Sequence, residues 1–203
     1  GTTVILWLCV FLLVFLTDVK LKNLVAFSLL TFGLFFLLLE FNLVNTFQIE
    51  RITDFYSNEV RDFSQQQSRL QISLGGFLGE NLSNTSNVDI FVPVQTTDFI
   101  FSSFSKSFGF LGCIVLLGFW AIFGLRVYSL ITKTDSNFEK FLLSGFIILL
   151  YLQIFINIAT VLGLIPLTGD PFPLLSLGGS SIIAISSIFG IINRIFIENN
   201  LVI

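Results

Sequence analysis

The run SFGFLGCIVLLGFWAIFGLRVYSLI, residues 107–131, decides how this chain is read, because it holds no charged residue before Arg126. A helix needs about 20 apolar residues to cross the hydrocarbon of a bilayer, where backbone groups must be satisfied internally. Four more apolar stretches, at 1–17, 24–44, 141–163 and 178–195, follow the same pattern, the first and last being the shortest. The expected fold is therefore all-α, a polytopic transmembrane helix bundle of about five spans with a large extracytoplasmic loop. Two spans fall in 1–44, the loop in 45–106, and three spans with a short carboxy-terminal tail in 107–203.

Composition agrees. Of 203 residues, 54% are hydrophobic, 11% are charged and 26 are Phe, which is too apolar for a soluble domain of this length. The net charge of −3, with no basic block, argues against a nucleic-acid partner. Histidine is absent, and Cys9 and Cys113 each lie inside an apolar run. That inventory supplies no zinc site, no His-paired nucleophile and no disulfide framework. Acid–base chemistry is left to carboxylates, lysines and tyrosines. Methionine is also absent, position 1 included, so a gene fragment or a processed product is expected. Heavy use of Phe, Ile, Leu and Asn with little Ala suggests an AT-rich genome, that of a reduced bacterium or an organelle.

Short loops set orientation through their Lys and Arg. Lys20, Lys22, Lys133 and Lys140, with Arg126 and Arg194, mark the cytoplasmic side. Residues 164–177 carry no Lys or Arg but do carry Asp170, so they lie outside, and the long loop joins them by parity. All four prolines (Pro93, Pro166, Pro171, Pro173) fall in these outer connections, where a lost backbone donor is tolerated. Within the outer loop, apolar clusters such as Leu70-Gln71-Ile72 and Ile90-Phe91-Val92 suggest short amphipathic helices on the membrane surface.

Three patterns carry the chemistry. In Pro93-Val94-Gln95-Thr96-Thr97-Asp98-Phe99-Ile100-Phe101 a lone carboxylate stands where the polar loop meets a span. An acid at the edge of hydrocarbon loses hydration, which favours its protonated form and suits it to moving protons. The second pattern, Gln67-Ser68-Arg69-Leu70-Gln71-Ile72-Ser73-Leu74-Gly75-Gly76-Phe77-Leu78-Gly79, has glycines spaced for tight turns and close backbone approach. Taken alone, it is more often a turn than a phosphate cradle. The third runs through Asn157, then Gly163-Leu164-Ile165-Pro166-Leu167-Thr168-Gly169, then Pro173-Leu174-Leu175-Ser176-Leu177-Gly178-Gly179-Ser180-Ser181.

Gln153, Asn157 and Thr160 share one helical face in mid-span. They either line a substrate cavity or make interhelical hydrogen bonds. Ser180, Ala184 and Ser187 form a small-residue face suited to close helix packing. Glu40 is expected to be an interfacial anchor. The sequons at Asn81 and Asn84 are expected to be chance matches.

In order and spacing, these patterns resemble the carboxy-terminal half of the SEDS family, the FtsW and RodA proteins of cell division and cell shape. Upstream, Phe47-Gln48-Ile49-Glu50-Arg51-Ile52 followed by Phe55 is similar to that family's approach to its outer loop, and Gly1-Thr2-Thr3 to the tail of its Pro-Asp-x-Gly-Thr motif. The family's members carry roughly twice as many spans, so the resemblance implies that a first half is missing. It also implies a peptidoglycan glycosyltransferase that polymerises lipid II at the outer face. The essential acid of the family's His-Thr-Asp-Phe-Ile-Phe motif falls on Asp98, which would act as general base on an acceptor hydroxyl. The donor's anomeric centre would invert as polyprenyl pyrophosphate leaves.

Through the same resemblance, the substrate-binding residues would be Gln67, Ser68, Arg69, Gly75, Gly76, Thr97, Asn157, Ser176, Gly178, Gly179 and Ser180. Charge on the leaving pyrophosphate calls for cations. The candidates are Arg61, Arg69 or a divalent ion (Mg or Mn). No metal ligand and no other cofactor is assigned. The implied partners are lipid II, a class B penicillin-binding transpeptidase and other divisome or elongasome membrane proteins. The implied location is a bacterial plasma membrane or a plastid inner membrane.

Some positions depart from the family pattern. Thr96 replaces its His, Lys106 and Ser107 replace an acidic pair, Glu80 stands at a usual Lys and Leu177 at a usual Tyr. Two alternative functions are a lipid II flippase, for which the span interiors offer only Gln153, Asn157 and Thr160, and a non-catalytic division-complex component, which the changes at Lys106, Ser107 and Glu80 keep open. Residues 93–95 and 171–174 are closer to FtsW, and residues 167–169 to RodA.

Overall fold

The computed structural model describes residues 2–16, 21–40, 63–80 and 98–201. The helices are α1 (Thr2–Leu16), α2 (Leu21–Glu40), α3 (Phe63–Gly75), α4 (Ile100–Lys133), α5 (Asn137–Val161) and α6 (Gly179–Leu201). The described residues contain no strand, and the fold is an all-α membrane helix bundle. Ile100–Lys133, Asn137–Val161 and Gly179–Asn199 are long and apolar enough to cross a membrane, and Leu6–Phe15 is a shorter apolar helix. Thr97, Arg61, Thr96, the 90–92 cluster, the sequons, Lys20 and the Glu40 side chain lie outside the described residues.

The bundle is held by few buried residues and shows much apolar surface, as expected where the solvent is lipid. Phe99, Phe101, Cys113, Trp120, Leu150, Ile154, Val161, Phe172 and Ile185 form one core cluster, and Val127, Leu130, Leu143, Ile192 and Ile195 another. Phe119, Ile122, Leu125 and Phe155 are more than half exposed on the outside of α4 and α5. α1 packs on α5 where Gly145 leaves room for Leu13. α4 packs on α5 through Gly124, against which the Tyr151 ring lies, with its hydroxyl donating to the Trp120 carbonyl. α6 packs on α4 through Phe123 and Phe189, with ring centroids 5.0 Å apart.

The small-residue face of α6 does not pack against any described helix: Ser180, Ala184 and Ser187 are exposed. Ile185, Ile192 and Ile195 turn inward instead, where they join the two core clusters and gain close packing contacts.

α4 is not one rod. At Gly109 the backbone takes φ 66° and ψ −168°, a left-handed geometry open in practice to glycine, and the helix breaks there. Residues 100–108 form a short arm, and the long span starts after the break. α5 then starts after Ser136, with Glu139 in its first turn, where the helix dipole favours an acid.

Candidate functional site

The site is built at the end of the bundle opposite Arg126, Lys133 and Lys140, where α3, the arm of α4 and residues 162–178 meet. α3 is amphipathic in an inverted sense. It buries Gln65, Ser68, Gln71 and Gly75 against the bundle and leaves Phe63, Leu70 and Leu74 exposed. The buried polar face is explained by what it touches.

The last carbonyls of any helix lack partners within it. At the end of α5, Gly163 adopts φ +65°. Its N–H donates to Thr160 O at 2.9 Å, and the Leu164 N–H donates to Ala159 O at 2.8 Å, the paired closure that a left-handed glycine permits. α3 satisfies the rest. Gln65 Nε2 donates to Thr160 O and Ile165 O at 3.2 and 2.9 Å, and Ser68 Oγ donates to Val161 O at 2.9 Å. Arg69 donates Nε to Leu162 O at 2.7 Å and a terminal nitrogen to Gly163 O at 2.9 Å. A Cβ at Gly163 would meet that guanidinium.

The glycine run after α3 plays the reciprocal part. Gly76 O and Phe77 O accept from the N–H groups of Phe110 and Leu111 at 3.0 and 3.2 Å. These donors open the long span of α4 after its break and would otherwise be orphans. Gly75 lies against the Ser105 carbonyl, and a Cβ on Gly109 would fall on the Gly79 nitrogen and 2.7 Å from Phe77 O. The motif therefore brings backbone onto backbone. Lys106 Nζ lies 3.3 Å from Glu80 Oε2 across the same contact.

Asp98 precedes the arm of α4 and is half-buried. Its Oδ2 lies 3.7 Å from where a Cβ of Gly169 would stand, and Gly169 itself has φ +75°. Asn157 joins the two segments: its Nδ2 donates to the backbone carbonyls of Asp98 at 2.9 Å and Asp170 at 2.8 Å. Thr160 Oγ1 lies 3.3 Å from Thr168 Oγ1 in the same loop. Asp170 is buried. Burial pushes its carboxyl above the ordinary range, a hydrogen bond with Thr168 opposes the rise, and the Asp98 charge adds to it.

Of the other residues singled out from sequence, Gln67 is half-buried on α3. Ser176 is buried and its Oγ accepts from the Phe172 N–H at 2.8 Å. Gly178 precedes α6, its carbonyl accepting from Ser181 Oγ at 2.8 Å. Gly179 and Ser180 are exposed in the first turn of α6. Gln153 is half-buried one turn deeper than Asn157. Sequence reasoning used Asp170 only as a topology marker, although its place between Gly169 and Pro171 in a cation-free loop was a usable signal.

A model of the FtsW/RodA/SpoVE cell cycle protein family matches residues 1–201. The chain belongs to that family. It is similar to the peptidoglycan glycosyltransferase MrdB of Helicobacter pylori, at 36% identity over 157 residues covering 76% of this chain and 41% of that protein. The MrdB of Escherichia coli is 28% identical over 200 residues, covering 96% and 54%. The probable peptidoglycan glycosyltransferase FtsW of Synechocystis is 33% identical over 164 residues, covering 77% and 41%. Thus the chain spans about half the length of the curated relatives it matches. A solved chain from work on the structural coordination of polymerization and crosslinking by a peptidoglycan synthase complex superposes with TM-score 0.68. It is 26% identical, and the match covers 93% of this chain and 53% of that one. With the family in hand, the chain is an integral membrane protein.

Against the FtsW/RodA/SpoVE pattern, Glu80 and Lys106 looked like two separate losses of charge. Their contact makes them each other's partner in an ion pair.

Proposed function

We propose that this chain is the carboxy-terminal part of a peptidoglycan glycosyltransferase that polymerises lipid II at the outer face of a bacterial plasma membrane, or of a plastid inner membrane. One observation carries the reading. Asp98, half-buried, is held against Gly169 and Asp170 by Asn157 at the end of the bundle away from the basic residues. There a carboxylate has access to sugars from the aqueous side and to a lipid tail from the membrane side.

Asp98 would accept the proton of an acceptor hydroxyl as that oxygen attacks the donor's anomeric carbon. The bond to polyprenyl pyrophosphate breaks on the opposite face and the centre inverts. The exposed first turn of α6, at Gly179 and Ser180, offers N–H groups of a kind that bind phosphate oxygens. Arg69 is committed to the carbonyls of Leu162 and Gly163, so its part would be to hold the site's shape. Among the described residues no three His, Cys, Asp or Glu side chains gather to hold a metal ion. A magnesium or manganese ion bound with the pyrophosphate would supply the positive charge that the leaving group calls for. Asn157 and Thr160 are engaged with the outer loop, which favours an enzyme over a transmembrane path for lipid II. The relative seen in a peptidoglycan synthase complex supports a class B penicillin-binding transpeptidase as partner.

Asp98→Asn in the full-length protein is the test. Polymerisation of purified lipid II should disappear while the protein still inserts and binds its transpeptidase. A variant that polymerises at the wild-type rate would remove Asp98 from the chemistry.

A further inference from the structure

Asp170 takes no chemical step in the reading above, yet it is the one buried carboxyl among the described residues. Its residue is 3% exposed, and Oδ2 has no hydrogen-bond partner among the described residues. Pro171 restricts the backbone of Asp170 to extended geometry, and its own carbonyl is pinned by Asn157. The carboxyl thus has little freedom to swing out to water. Asp98 is tied through the same amide, with its Oδ2 beside Gly169. Two acids are held in neighbouring positions by one amide, and the Asp98 charge adds to what burial does to Asp170.

No side-chain cation offsets that burial among the groups described; the charge at the chain's first residue acts in the lowering direction without reversing the upward shift. The arm of α4 contributes Asp98, α5 contributes neutral Asn157 and Thr160, and the loop contributes Thr168 and Ser176. Arg69, the cation of α3, bonds the Leu162 and Gly163 carbonyls, and Lys106 pairs with Glu80. A buried charge left without a partner is strongly disfavoured, whereas a neutral carboxyl needs none. The Asn157 Oδ1 acceptor is likewise unpartnered among the described residues, while Thr168 supplies Asp170 with one hydrogen bond.

We infer that Asp170 is a positioning residue for Asp98, a buried neutral carboxyl that keeps the pair's single proton and leaves Asp98 as its charged member. The role rests on the reading of Asp98 as general base, and it tells how that base stays ionised beside a second acid. The upward push that burial exerts on Asp170 points the same way. In the reaction, the proton from the acceptor hydroxyl goes to Asp98. Asp170 keeps its own proton throughout, so no proton is gained or lost by the pair beyond that transfer.

Infrared difference spectroscopy on the full-length protein in nanodiscs tests the assignment directly. At neutral pH the wild type should show the carbonyl band of a protonated carboxylic acid. The band should be absent in Asp170→Asn and retained in Asp98→Asn. Absence of the band in the wild type overturns the proposal, and so does its loss in Asp98→Asn with retention in Asp170→Asn. Loss of the wild-type band on adding magnesium alone would assign the pair to a cation and equally sink it. These readings do not depend on turnover, so they stand even if the protein fails to polymerise lipid II and the proposed function falls. Where it does polymerise, the neutral Asp170→Asn should leave the acid limb of the rate–pH profile in place. A limb displaced to lower pH by about one unit, a tenfold change in proton affinity, would mean that a negative charge had been removed, and Asp170 was ionised after all.

Discussion

Lys106→Glu would set two carboxylates against each other where Lys106 Nζ now lies 3.3 Å from Glu80 Oε2. The side chains are 14% and 21% exposed, so the contact is neither a surface pair nor a dry one. Unit charges about 4 Å apart attract by roughly 4 kcal/mol at an effective dielectric near 20. Desolvation and side-chain ordering take back most of that, leaving about 0.2–1 kcal/mol for exposed pairs. For this half-buried pair, a coupling of about 1–2 kcal/mol is expected. Lys106→Glu loses the attraction and adds repulsion, so it should cost roughly 2–3 kcal/mol. The double variant Glu80→Lys with Lys106→Glu restores the pair in the polarity usual for the family, and should recover most of the loss. A double-mutant cycle on thermal or denaturant unfolding in detergent measures the coupling. If the double variant is as unstable as the sum of its singles, the two residues are not coupled and the ion pair contributes nothing to stability. The helix break beside them makes the contact informative, because the pair bridges the glycine turn to the arm of α4.

Other expectations follow from the same geometry. Gly109→Ala places a side chain at φ 66° against the Phe77 and Gly79 backbone and should cost more than about 3 kcal/mol, seen as lost folded protein on size-exclusion chromatography. Gly118→Ala, with open space around it in the same helix, should be neutral or stabilise by up to about 1 kcal/mol. Arg69→Ala should destabilise by about 1 kcal/mol, water replacing part of what is lost, and Arg69→Lys should recover only part because it has no fork. If Arg69→Ala unfolds like the wild type yet abolishes polymerisation, its work is on the substrate. Because burial raises the Asp170 carboxyl, its proton binds more tightly in the folded chain than in the unfolded one. The resulting stabilisation is complete below the ordinary carboxylate range and is lost as pH rises through the raised value. Thermal unfolding of the wild type should therefore weaken over that window relative to Asp170→Asn, and parallel curves would contradict the burial argument.

Much of this architecture was open to reading along the chain. A span is recognised from about 20 successive apolar residues whatever their neighbours, since lipid imposes the requirement locally. Placing Asp98 at a span's start used the same property, and residues 164–177 were assigned to the outer end by their prolines and missing cations, with the long loop joining them by parity. The glycines of 75–79 announced close approach without saying to what. Their partner is Gly109, about thirty positions on, and its break is held by hydrogen bonds to Gly76 and Phe77 that no helical periodicity encodes. Arg69 could be seen as a cation but not as the cap of a helix end 93 residues away. Glu80 and Lys106 could be seen as oddities but not as each other's partner, and Asp170 could not be seen beside Asp98. Each of these depends on which ends of distant helices meet, and orphaned backbone groups, excluded charges and the space a missing Cβ leaves settle that only once the chain has closed on itself.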